Sequence, residues 1–460
     1  MSILYNQPVG ERLFGFFAKE HFSPEEERLS SELRGFYRQW DLLEKNGAGS
    51  IIDFDLAPYS PEYEAGKKIL LGRPLKAERA LVLSTLEEYL KETDQTRFSS
   101  GRQKDYLLAK LAASHAYARR INGEAFDPFE YIYQVDGVRP TKIPEGVIDE
   151  QKQKVANILR EAGCQRYDAE SLQEFFKSLM ITDSNAITTE IKSFGDQTLV
   201  ILGHVLDDKI RDKLSYKTEV VQKDAYWLNW TDGDIQLFIL QINNHPSHRL
   251  RWIRGKPPIM GVHEIGSHFG GMIVRAERIA QKKLLPIFGV TTVFEPEEFI
   301  SEGVAQALPF FLEDELRLPK ESMLALELDY LRQLVYNNVH VAINSPDFSK
   351  EKIAGIKDYI WQFLPTEPEE VILREIEHRT TNPKLQAYQY VYGYSFYLHR
   401  LYAQSLSYYG KREFLKAIFE SPMTPVQEFN VWKDLFAKPQ FRSRGISQSP
   451  EWLSQINLAV

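Results

Sequence analysis

The sequence predicts an α+β fold, mostly helical with one small sheet, and three observations carry that expectation. Helical apolar periodicity, with start and stop signals, recurs through both halves of the chain. Residues 218–243 break that texture with short runs of strand-forming residues and a turn signal. A composition of 43% hydrophobic and 26% charged residues over 460 positions supplies enough apolar side chain for a large interior.

Ser23-Pro24-Glu25-Glu26 places a cap residue, a proline at the first helical position and a glutamate at N3, so a helix is expected to open there and run to about Lys45. Further helical patterns span about Leu75 to Glu92, Lys104 to Arg119 and Gln151 to Ala162, the last stopped by Gly163. Asn46 to Tyr63 and Gln134 to Gly146, rich in Gly, Pro and Asp, read as loops; the second divides an N-terminal helical region, 1–146, from the remainder, 147–460. Thr218 to Val221, Ala225 to Asn229 and Asp234 to Asn243 read as strands, with Thr231-Asp232-Gly233 as a turn. Helical periodicity then returns over Ile259 to about Lys283, Pro296 to Leu316, Lys320 to Ile343, Pro368 to His378 and Leu385 to Tyr409.

Lys and Arg number 56 against 64 Asp and Glu, a net charge of −8 with both signs scattered, which argues against broad nucleic-acid binding. A local basic patch such as Arg249, Arg251, Arg254 and Lys256 leaves room for a local anionic contact. A lone cysteine, Cys164, makes neither an internal disulfide nor a cysteine-based zinc site, so any metal must take His and carboxylate ligands. The first residues carry no continuous apolar segment after a basic start, and no stretch approaches about 18 uninterrupted apolar residues, so a soluble, cytoplasmic protein without a membrane partner is expected.

Two of the ten histidines fall in Gly261-Val262-His263-Glu264-Ile265-Gly266-Ser267-His268, at the start of a helix that follows the strands. The spacing, H-E-x-x-x-H, is one residue longer than the H-E-x-x-H of zinc proteases. On a regular helix i and i+5 lie about 140° apart, so both imidazoles face one ion only if the turn widens into a π-bulge. Gly266, inside the pair, lowers the cost of that distortion. Glu302 follows His268 by 34 residues on the next helix, with Glu298 one turn before it. Either carboxylate completes a two-His-one-carboxylate set with an open fourth position, and Glu264 is then available as general base.

HEIGSH followed by SEGVA resembles the HEIGTH and QEGLA pair of the QEGLA-motif metallopeptidases, whose animal members include the microtubule-associated tyrosine carboxypeptidases. Gln389-Tyr390-Val391-Tyr392-Gly393 is similar to that family's helix with a tyrosine followed by glycine, and the resemblance covers roughly Gln151 to Leu415. It implies a zincin-like catalytic domain over 147–460, one zinc ion on His263, His268 and Glu302, and Glu264 as catalytic base. Ser267 stands where threonine is usual, and Ser301 with Val304 replace the glutamine and leucine; these departures touch substrate preference rather than ligation.

The residues lead to the expectation of a zinc metallopeptidase in which metal-activated water attacks a peptide carbonyl, and the resemblance implies a carboxypeptidase releasing a C-terminal, tyrosine-like residue from a peptide or protein. A donor for the oxyanion is sought in Tyr392 first and His340 second. A cation for the substrate carboxylate is sought among Arg275, Arg278 and Arg400, each of which otherwise reads as an exposed helix charge. His245 and His248 read as rim residues, and Asp234 to Asn243 as either an edge strand that pairs with substrate or a buried central one. The acidic net charge weighs against an acidic tubulin tail as substrate. The alternatives are an endopeptidase for one protein and a non-catalytic binding or regulatory protein, the latter having no chemical need of Glu264.

Overall fold

The computed structural model describes residues 22–45, 47–57, 74–206, 210–225, 227–246 and 251–446. Among these the protein is mostly helical, with five strands: β1 (Ile52–Asp55), β2 (Tyr216–Val221), β3 (Asn229–Asp234), β4 (Leu237–Asn243) and β5 (Val290–Thr292). No helix among the described residues is long and apolar enough to cross a membrane. A single cut at residue 146 is not how contacts group the chain. Two compact units emerge, one from 1–139, 271–300 and 404–460, the other from 140–270 and 301–403. Long-range pairing is the reason: β5 returns to pair antiparallel with β1, a partnership that local periodicity does not reveal.

The first unit opens on the helix Pro24–Glu44, closed at its start by the expected capping box between Ser23 and Glu26. The helices Leu75–Gln95, Gly101–Ile121 and Pro128–Asp136 follow, and Tyr408–Glu420 and Pro425–Phe436 belong to the same unit. Trp40, Phe36, Tyr89 and Tyr117 form its aromatic centre, where Tyr117 stacks on Phe294 at 4.0 Å. Lys110 is wholly buried here, donating to the Val290 carbonyl at 2.8 Å and to Glu295.

The second unit contains a three-stranded sheet in the order β2-β4-β3, with β2 parallel and β3 antiparallel to β4. β4 is therefore central and β3 an edge, which settles the position left open for residues 234–243. The second strand lies four to five residues later than its sequence pattern suggests, and Thr231-Asp232-Gly233 sits inside it rather than in a turn. The turn is made instead by Asp234, whose Oδ1 accepts from the backbone N–H of Gln236 (2.8 Å) and Leu237 (3.1 Å). Gly233, at φ +99°, lets the strand end approach the Leu237 carbonyl, which a Cβ would meet at 2.2 Å. Phe238, Leu240 and Ile242 alternate onto the buried face of β4.

Behind that face lies the expected long helix from Ile259, in three parts: Lys256–Met260, a nine-residue π-helix Gly261–Phe269, and Gly270–Ala280. Phe269 stacks on Phe238 at 4.9 Å. A helix absent from the sequence expectation, Ser184–Leu206, backs the π-helix. Glycines on both elements make the approach: a Cβ on Gly261 would meet the Ile191 carbonyl at 2.2 Å, one on Gly266 the Thr198 methyl at 2.4 Å, and one on Gly195 Ile265 at 2.6 Å. The helix expected over residues 385–409 is two, Pro383–Ser405 and Tyr408–Glu420, because Ser407 caps a fresh start at Gly410 N–H.

Candidate metal centre

The widened turn does what the spacing requires. In the π-helix His263 and His268 bring their Nε2 atoms to 3.2 Å, with the rings at 78° to one another. Two nitrogens bound to one tetrahedral ion at about 2.0–2.1 Å stand about 3.3 Å apart, so the pair has the edge length such an ion needs. Burial, then the charges of His268 and Lys256, hold the His263 imidazole well below its ordinary value, which keeps it neutral as a ligand must be. The Ser301 hydroxyl lies 3.3 Å from His268 Nδ1. With His268 Nδ1–H donating to that hydroxyl, the lone pair of the ring is on Nε2. Ser301 is one of the positions where the chain departs from QEGLA.

Glu302, on the helix Glu297–Phe311, sets Oε2 3.6 Å from His263 Nε2 and Oε1 3.9 Å from His268 Nε2. Its two oxygens are unlike. Oε1 lies 2.8 Å from Tyr388 OH and 3.1 Å from Tyr392 OH, while Oε2 is buried with no hydrogen-bond partner. Burial drives the carboxyl up to about 7 against those two phenols. An orphaned carboxylate oxygen facing two imidazole nitrogens is the observation that fits a cation, and the all-N/O donor set suits zinc.

His263, Glu264 and His268 gather their ligand atoms within 4.8 Å. Glu264 takes its partner from the sheet: its Oε1 accepts from the Asn229 side-chain amide, on the edge strand β3. Its Oε1 lies 3.6 Å from His263 Nε2, the same separation as Glu302 Oε2. The imidazole side chains retain 19% and 12% exposure while Glu264 and Glu302 retain 8% and 5%, so the histidines face the solvent side of the site.

The remaining sequence candidates fall elsewhere. Glu298 lies one turn before Glu302, and its charge acts on Tyr106 and Lys110. His340 is wholly buried beside Arg379, whose Nη1 is 3.3 Å from its Nδ1. Each arginine proposed to grip a carboxylate already holds one: Arg275 pairs with Glu297, Arg278 with Glu420, and Arg400 with Glu327 at 2.8 Å. Partners tens of residues away neutralised them, which the sequence does not display. Lys256 of the basic patch pairs with Asp329, while His248 and Arg249 lie outside the described residues. His245 is half-buried, its backbone N–H bonded to Asn243 at 3.2 Å.

Two residues of the site escaped sequence reading. Asn229 was assigned to a strand end without a role. Tyr388 stands one helical turn before Tyr392, and that i, i+4 spacing was the signal available.

No family model matches the chain, and no curated protein matches it. Among solved structures it is similar to a candidate lipoprotein from Colwellia psychrerythraea, with a TM-score of 0.45 and 12% sequence identity over 78% of this chain and 69% of that one.

Proposed function

We propose that the chain is a zinc metallopeptidase, related in mechanism to the QEGLA-motif carboxypeptidases and zincin-like in the arrangement of its site. The observation that carries this reading is the pair of Nε2 atoms at 3.2 Å facing the unpartnered Oε2 of Glu302, with Glu264 alongside. His263, His268 and Glu302 would hold the ion. Bound there, zinc would polarise a peptide carbonyl and bring the pKa of a water towards neutrality.

The chain's own groups supply the rest. Glu264, aimed by Asn229, accepts the proton of the attacking water and passes it to the departing amine. Tyr392, whose phenol is held well above its ordinary value by burial and then by the charge of Glu302, stays protonated and donates to the oxyanion. Asn243 N–H donates to the Leu228 carbonyl at 2.8 Å, so in the antiparallel pair Asn229 and Thr231 turn their main-chain groups away from β4, towards the open edge. A substrate backbone laid along that edge would pair with them. Such a substrate is a peptide or protein chain, and a cytoplasmic setting accords with the single Cys164.

Release of one C-terminal residue is the activity that the resemblance favours. A specific observation favours cutting within the chain instead: all three candidate arginines are neutralised by internal carboxylates. Elemental analysis of wild type and His263→Ala, paired with mass spectrometry of peptides ending in Tyr, Phe, Leu or Glu in free and amidated form, tests both. Near-stoichiometric zinc lost in the variant, with trimming of free C-termini only, is expected for the carboxypeptidase. Equal cleavage of amidated peptides turns the assignment to endopeptidase, and wild type without zinc overturns the metallopeptidase reading.

A further inference from the structure

The two tyrosines on Glu302 present more contacts than they have protons to fill. Tyr388 OH lies 2.8 Å from Glu302 Oε1, Tyr392 OH lies 3.1 Å from the same oxygen, and the two phenol oxygens are 2.6 Å apart. Each phenol owns one proton. Two oxygens at 2.6 Å need a proton between them. If both phenols donated to Glu302, that short contact would bring two lone pairs together. Tyr392 donating to Tyr388, and Tyr388 to Glu302, puts the two protons in the two shortest contacts, which leaves the 3.1 Å approach of Tyr392 to the carboxylate as the surplus contact.

We propose that the pair divides two duties: Tyr388 is a positioning residue that holds Glu302 Oε1 permanently and so presents Oε2 to the ion, and Tyr392 is the donor that turns from Tyr388 to the substrate oxyanion. The inference rests on the metallopeptidase reading. Rotation of the Tyr392 hydroxyl about its C–O bond makes the exchange without moving the ring or ionising either phenol. Glu302 keeps its Tyr388 bond throughout, so the ligand does not shift when the oxyanion forms.

The packing around the pair serves this. The rings stand edge to face at 5.2 Å, one turn apart on the helix Pro383–Ser405. That helix meets the one carrying Glu302 at Gly303, where a Cβ would lie 2.2 Å from His399 Nδ1 and 2.9 Å from the Ser395 Cβ. A larger residue at 303 would push Glu302 away from both phenols, which gives the glycine beside the ligand a reason of its own.

Tyr388→Phe and Tyr392→Phe separate the two duties. Zinc affinity is read by competition with a chromogenic chelator, ligand geometry by the visible spectrum of the cobalt-substituted protein, folding by circular dichroism, and kcat and KM on a cleaved peptide. Tyr388→Phe is expected to weaken zinc about 10- to 100-fold and alter the cobalt spectrum, with a loss of kcat below about tenfold once zinc is saturating. Tyr392→Phe is expected to keep zinc affinity within about twofold and lower kcat about 10²- to 10³-fold at little change in KM. Equal zinc loss in both variants, or wild-type zinc affinity in Tyr388→Phe, overturns the division while leaving the metallopeptidase reading intact. A wild type that takes up no zinc overturns both.

Discussion

Glu302 and Glu327 are buried carboxylates on neighbouring helices of one unit, and the structure treats them in opposite ways. Glu327 is saturated: Arg400 binds it through both terminal nitrogens at 2.8 and 2.9 Å, Lys154 donates at 2.7 Å and Gln151 at 2.7 Å. Burial pushes its carboxyl up, but the hydrogen bonds and charge of Arg400, with Lys154 and Gln151, carry it below the ordinary carboxylate value. The guanidinium is itself flanked by the rings of Phe310 and Tyr330 at 4.4 and 4.2 Å. Among the described residues Glu302 has two phenols on one oxygen, and its other oxygen is orphaned. The first arrangement consolidates the fold. The second leaves a charge uncompensated, which a fold tolerates where a ligand completes it.

Four experiments break or sharpen that contrast, beginning with the largest effect. Glu264→Gln keeps the ligands and removes the base, so peptide cleavage should fall about 10²- to 10⁴-fold with zinc content unchanged. Activity near wild type would remove Glu264 from the chemistry. Glu327→Ala strands Arg400 in the interior and should cost about 3–5 kcal/mol of stability in urea unfolding, with zinc content of the folded protein preserved. Loss of zinc together with stability would show that the two carboxylates are not separable.

The third is a pH effect in the zinc-stripped protein. The folded value of Glu302 is raised from 4.5 to about 7, so its contribution is complete below about 4.5 and is lost as pH rises through about 7. Glu302→Gln abolishes that loss. The melting temperature of the variant should therefore gain on wild type between pH 5 and pH 8, by an amount equivalent to about 2–3 kcal/mol. Glu327, held low, acts in the reverse sense, its contribution present at neutral pH and lost on acidification. A gap between variant and wild type that does not change with pH would contradict the uncompensated burial of Glu302. The smallest effect is on aim: Asn229→Ala should lower kcat about tenfold with zinc retained, read by steady-state kinetics beside elemental analysis.

What the sequence displayed was local. Ser23 and Glu26 announce a helix because both halves of the capping box lie within four residues. The i, i+5 histidines announce a π-turn because geometry permits no regular helix to bring them together. What stayed hidden depended on distant partners. Ser184–Leu206 carries Gly195, Gly203 and many β-branched residues, a weak helix former on its own, and is selected by its fit against the glycines of the π-helix. Arg400 looked like a surface cation because Glu327, 73 residues earlier, is not marked as its partner. β3 was misplaced because Asp234, not the Asp-Gly pair before it, makes the turn.

The alternation of the two units along the chain bears on how the protein is made. The polypeptide passes between them at 139/140, 270/271, 300/301 and 403/404, so neither unit is contiguous. β1 precedes its partner β5 by more than two hundred residues, and the helices Tyr408–Glu420 and Pro425–Phe436 of the same unit come later still. At roughly 5–20 residues per second, the apolar faces of the first helices wait on the order of tens of seconds for the segments that cover them. C-terminal truncations therefore leave that unit incomplete as surely as deletions within it.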